Sequence, residues 1–171
     1  LGHAGFMAIG AYVSALLTFP AALRSAYKLP HLPPLLGGAT FEWPYLPAVM
    51  VGGLVAAGVS VLLGYPALRL RGHYLSLATL GLVVILETVF TNAREITRGP
   101  IGINGIPSYT NLWWVYAWVA VTLYVVWRVV NSSYGRAMMS IREDELVAST
   151  LGINTTKYRV FSFTLGAFFA G

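Results

Sequence analysis

The chain has 171 residues, of which 57% are hydrophobic and only 10% charged, with a net charge of +5 and no cysteine. A water-soluble domain carries about a quarter charged residues, so this composition points to lipid as the surrounding solvent. The few basic residues are too scattered to track a phosphate backbone, which argues against nucleic-acid binding, and the missing cysteines exclude disulfide frameworks and Cys-based zinc sites.

A helix crossing a bilayer needs roughly 20 mostly apolar residues, and the chain offers four such runs and part of a fifth. The first covers Leu1 to Phe19 and stops at Pro20, where the missing amide hydrogen breaks a helix. The second covers Tyr45 to Leu68. Pro66 falls late in it and is expected to kink the last turn and present Arg69 and Arg71 to the interface. Its Gly52, Gly53, Gly58 and Gly64, with Ala56 and Ala57, form a small-residue face of the kind that lets membrane helices pack closely. The third run covers Tyr74 to Thr91 and contains Glu87, the only acidic residue deep in a span. The fourth covers Leu112 to Val130, with Arg128 near its end, and the fifth begins near Tyr158. The sequence opens inside one apolar run and stops at Gly171 inside another. The expectation is therefore a fragment: one transmembrane domain over residues 1–171, cut at both ends.

Orientation follows from the excess of basic residues on the cytosolic side. With five alternating spans, Arg69, Arg71, Arg128, Arg136, Arg142, Lys157 and Arg159 share one side, seven in all, against Arg24, Lys28, Arg94 and Arg98 on the other. The loop from Asn131 to Arg159 is thereby assigned to the cytosol. Trp43 and Tyr45, and Trp113, Trp114 and Tyr116, fall at the opposite interface, where amphipathic rings prefer to sit.

Within that loop Asn131, Ser132 and Ser133 suit a helix start, Gly152 suits a helix end, and Asn154 suits the cap of the next helix. The pattern predicts one short helix, a turn at Gly152-Ile153-Asn154, and entry into the fifth span. Projected as one continuous helix, Arg142, Glu143, Asp144 and Glu145 fall on different sides and leave no wide apolar stripe. Met138, Met139, Ile141, Leu146 and Leu151 nevertheless exceed what a solvated linker needs. Such a helix suits a groove in another protein; the plainer alternative is an ordinary loop with a helical turn.

These residues carry a resemblance. Gly-Arg-Ala at 135–137, Ile-Arg-Glu-Asp-Glu at 141–145 and Leu-Gly-Ile-Asn at 151–154 resemble the cytoplasmic loop of the branched-chain amino acid ABC importer permeases, their M-type subunit most of all. The opening Leu1 to Tyr12, Leu70-Arg-Gly-His-Tyr-Leu75 with Ala78-Thr-Leu-Gly81, and Gly99 to Pro107 resemble the same family in the same order. The resemblance implies an all-α polytopic helix bundle of about five spans with a short cytoplasmic coupling helix, in the bacterial cytoplasmic membrane. It implies a second, homologous permease subunit, two cytosolic ATPase subunits and an external substrate-binding protein as partners. It also implies that residues 131–157 form the coupling loop, with Gly135, Arg136, Ala137, Ile141, Arg142, Glu143, Asp144, Glu145, Ala148, Gly152, Ile153 and Asn154 matching the family's loop. Glu143, Asp144 and Glu145 are expected to make polar contacts to the ATPase, and Ile141 to be a buried anchor. Ser149 follows Ala148 where members often show a second alanine.

Intramembrane charges mark functional positions by default, so Glu87, with His73 and Thr79, is a candidate for the substrate path or for helix packing. Glu87 lies four residues from Thr91, however, close enough to reach the outer interface. The glycines of the Gly99–Pro107 stretch lack the Gly-Lys-Ser/Thr of a P-loop and read as turns. His3, His31 and His73 are far apart in sequence, so no metal site is expected, and neither a cofactor nor a catalytic constellation is. The expected function is inward transport of a small solute, driven by ATP hydrolysed on separate subunits. The alternative is a self-contained ion-coupled carrier, which needs coupling-ion sites near the membrane midplane.

Overall fold

The computed structural model describes residues 3–19, 44–68, 70, 73–93, 97 and 110–171. Pro20, His31, Trp43, Arg69, Arg71 and the Gly99–Pro107 stretch lie outside the described residues.

Among the described residues there are seven helices: α1 (His3–Thr18), α2 (Tyr45–Ala67), α3 (His73–Asn92), α4 (Leu112–Val130), α5 (Ser133–Glu143), α6 (Glu145–Thr150) and α7 (Thr155–Ala170). The all-α expectation holds, and the five apolar helices lie where the runs placed them. Three are long and apolar enough to cross a membrane: α2 with mean hydropathy 2.2, α3 (from Tyr74) with 1.8 and α4 with 1.4. Both α1 and α7 have 16 residues, about 24 Å of helix, which is shorter than a hydrocarbon core of about 30 Å. Pro66 lies inside α2, one residue before its end. That is late enough that the helix simply stops after it, at Ala67.

The bundle centres on α1, α2 and α7, with α3 laid against α1 and α2. Ala48, Gly52, Gly53, Ala56, Ser60, Gly64 and Ala67 form the buried face of α2, a stripe repeating every three or four residues. Along it the backbones approach closely. A Cβ on Gly52 would stand 2.9 Å from the Gly10 carbonyl oxygen of α1, and one on Gly53 2.9 Å from the Phe168 carbonyl oxygen of α7. Gly58, which the sequence grouped with them, faces open space instead, because it sits off the stripe. Phe6, Ile9, Ala56, Leu86 and Ala167 fill the centre, and the ring of Phe6 meets Phe163 edge-on at 5.4 Å.

Helix α4 is different. None of its residues is fully buried, but Trp118, Thr122, Val125 and Val129 form a half-buried stripe, and Trp118 and Thr122 line a groove shared with Phe168 and Phe169 of α7. Tyr45 at the start of α2 lies 5.8 Å from Trp114 at the start of α4, so these two helices begin on the same side. Its far end runs straight into α5.

Gly52→Val drives a branched side chain into the α1 backbone. It is expected to cost about 2 kcal/mol, the scale of overpacking a filled core. Gly58→Ala, facing open space, is expected to be neutral or to stabilise by up to about 1 kcal/mol. Thermal unfolding of the full-length protein in detergent distinguishes the two.

Candidate functional site

The end of α2, the start of α3, both short helices and the start of α7 meet at one end of the bundle. A cleft of about 520 Å³ there is lined by Leu68, Leu75, Met138, Ile141, Tyr158 and Arg159, among others. The end of α2 and the helix that follows α4 are thus on a shared side, as the alternation of spans requires.

Every step of the chain through this end has a local cause. The Ser132 side chain caps α5 by accepting from the Gly135 amide at 3.4 Å. The turn from α4 is so tight that a Cβ on Gly135 would overlap the carbonyl groups of Val129 and Val130; only glycine fits. Arg136 donates to the Ser133 hydroxyl at 3.0 Å and stays exposed. Ala137, Met138 and Ile141 are half-buried. Tyr134 packs against the rings of Tyr158 and Phe161 at 5.8 and 5.6 Å, and Ser162 donates to the Met138 sulfur at 3.0 Å. Helix α5 therefore has an apolar face, and it covers α7 of the same chain.

This corrects two expectations, one short helix and no apolar stripe. The helix breaks at Asp144, whose backbone is extended at φ −152° and ψ 114°. Its carboxylate accepts from the amides of Leu146 at 2.8 Å and Val147 at 3.2 Å, the geometry of an N-cap. The break resets the helical phase, so a projection through it mixes two separate faces. An aspartate followed by a glutamate and an apolar pair was the available signal for a new helix start.

Beyond the break, Glu145 forms an ion pair with Arg159 of α7 at 2.6 Å, with side chains 21% and 26% exposed. Arg159, counted from the sequence only as a charge, is thus the residue that ties α6 to α7. Ala148 is buried, and α6 ends in paired bonds from the Gly152 amide to the Ser149 carbonyl and from the Ile153 amide to the Ala148 carbonyl, both 3.1 Å. This is the Schellman pattern, and it places Gly152 at φ +82°. Asn154 then caps α7 through the Lys157 amide at 3.1 Å.

Two of the three acidic residues are therefore engaged inside the chain. The third, Glu143, pairs with its neighbour Arg142 at 2.8 Å, both more than 70% exposed, an arrangement of little energetic weight. Beside the exposed Ser149 and Thr150, α6 and its C-cap turn an apolar group outward: Leu146, Val147 and Leu151 are 66%, 54% and 73% exposed.

The remaining candidates lie along α3, His73 at this end and Thr79 and Glu87 farther from it. Thr79 donates to the Ser76 carbonyl at 2.9 Å. His73 begins the helix, and its side chain lies outside the described residues. Glu87 lines a separate cavity between α1 and α3. No cluster of three metal-ligating side chains occurs among the described residues.

The whole chain, residues 1–171, matches the family described as branched-chain amino acid transport system / permease component. It is 33% identical over 205 aligned positions to the high-affinity branched-chain amino acid transport system permease protein LivM of Salmonella typhimurium, covering 100% of this chain and 44% of that protein. The LivM protein of Escherichia coli gives the same identity and coverage. The probable branched-chain amino acid transport permease protein LivM of Methanocaldococcus jannaschii is 23% identical over 130 positions, covering 70% of this chain and 38% of that protein. The chain thus spans under half the length of the curated relatives it matches. No solved structure matches it.

The left-handed backbone at Gly152 yields a clean test, because no atom lies within 4 Å of a Cβ placed there. Gly152→Ala is expected to cost about 1–2 kcal/mol through backbone conformation alone. Gly152→Asn, which tolerates that region, should recover much of the loss. Thermal melts of the two variants side by side measure the difference.

Proposed function

This chain belongs to the branched-chain amino acid transport system permease family, and from that membership we propose that it is part of the membrane-spanning subunit of a binding-protein-dependent ABC importer. The solute is a branched-chain amino acid or a related small polar compound, moved inward. ATP is hydrolysed on two separate cytosolic subunits, a second homologous permease completes the pathway, and an external binding protein delivers the solute. The membrane is the bacterial cytoplasmic one. The protein itself is multi-pass.

The observation that carries the reading is the apolar outer face of α6. Leu146, Val147 and Leu151 stand exposed at the same end of the bundle as Arg142 and Arg159, on a helix held by its own caps and by Arg159. A six-residue helix does not persist alone in water, so a surface of this kind is built to be covered. An apolar groove on the ATPase covers it, with Arg142 and Glu143 at the rim. Residues 131–157 act as the coupling segment. Closure of the ATPase pair presses on α6, and the Glu145–Arg159 pair passes the displacement to α7.

The test uses the full-length permease reconstituted with its partner subunits. Leu146→Glu is expected to lower ATP-driven uptake at least tenfold by placing a charge in the groove, whereas Glu143→Lys at the rim should change it no more than about threefold. Uptake that proceeds at the wild-type rate with the ATPases omitted would sink the importer reading.

A further inference from the structure

Sequence distance places Glu87 five residues before the end of α3 at Asn92, about 7.5 Å along the axis, within reach of the interface. Packing places it deeper. Its neighbour Leu86 is buried in the central cluster with Ala56, and Ala56 is the twelfth of the 23 residues of α2. The connection between α2 and α3 agrees. Ala56 lies eleven residues before Ala67, and Leu86 lies thirteen after His73, about 17 and 20 Å from the shared end. Glu87, about 21 Å from the shared end, therefore lies about 4 Å beyond the mid-height of α2 and within its length.

While Leu86 turns into the core, Glu87 is exposed on the outer side of α3 and lines an open groove of about 360 Å³ between α1 and α3. The surrounding wall is mostly small or apolar, with Gly5 and Ala8 on one side and Val83 and Phe90 on the other, and Thr91 adds a hydroxyl beside Glu87. The Tyr12 ring, stacked on Phe90 at 4.9 Å, extends it. Among the described residues no cation pairs with the carboxylate; the two ion pairs lie at the far end of the bundle. A carboxylate at this depth is costly unless something cationic meets it. The volume is within the range of small-molecule sites, and the groove opens to the outside of the bundle at Glu87 and Thr91.

We propose that Glu87 and the α1–α3 cavity bind the ammonium group of the transported solute, with its aliphatic body against Ala8, Val83 and Phe90. The proposal rests on the transport reading and adds to it a place along the path and a chemical preference. A solute with a primary ammonium and a compact apolar side chain fits; one lacking the ammonium leaves the carboxylate without a partner.

The full-length permease, assembled with its partner permease, ATPases and binding protein in proteoliposomes, is tested with radiolabelled leucine. Glu87→Gln should lower uptake at least tenfold while the partner permease still co-purifies, and Glu87→Asp should recover part of it. Ala8→Met fills the cavity with the carboxylate intact and should also lower uptake severalfold. Wild-type uptake in either Glu87→Gln or Ala8→Met overturns the proposal. So does loss of the partner permease in Glu87→Gln, which would assign the carboxylate to a contact between subunits. If wild-type uptake needs no ATP, the importer reading fails, and the same variants compared within that uptake still decide the site.

Discussion

The architecture depends on direct backbone contact between helices. Lipid tails are as apolar as leucine, so burying more leucine does little to hold helices together in a membrane; close packing has to do it. In this chain α2 supplies the surface, a stripe of glycine, alanine and serine against which α1 and α7 press to within van der Waals reach of its α-carbons. That contact sets the relative heights of α1, α2 and α7. Through Gly5 against Leu86 it also sets the height of α3. The depth of Glu87 is thus a consequence of glycine placement on other helices.

The end of the bundle with the short helices follows another logic, that of polar caps in water. Ser132, Asp144 and Asn154 each satisfy amides at the start of a helix, and Gly152 closes the one between. Residues that resemble a family motif prove to have distinct physical jobs. Gly135 is present because nothing larger fits, Ala148 because it is buried, and Gly152 because of its φ angle. The charges are divided in the same way, with Asp144 and Glu145 occupied within the chain and Arg142 and Glu143 left on the surface.

Length and hydropathy made the helices legible. The run read as Leu112 to Val130 is the observed α4 residue for residue, because a lipid-facing helix has nothing but its own composition to obey. Capping chemistry made Gly152 and Asn154 legible for a similar reason, since such signals are local. The break at Asp144 was missed because a helical projection assumes continuity, and one extended residue invalidates it. The Glu145–Arg159 pair spans fourteen residues and has no periodicity to announce it. The height of Glu87 was only partly legible, because distance along one helix is visible in a sequence while the packing of neighbouring helices is not.

The corner at Gly135 has a mechanical meaning. There α4 and α5 meet backbone to backbone, with no side chain between them to rotate or compress. Gly135 is the third of the 11 residues of α5, so the helix extends about 12 Å beyond that corner. A small change of angle at one end is magnified at the other, where Asp144 starts α6. Helix α4, which has no fully buried residue, is thus less a wall of the bundle than the long arm of a bell crank, with its pivot at a residue that has no side chain.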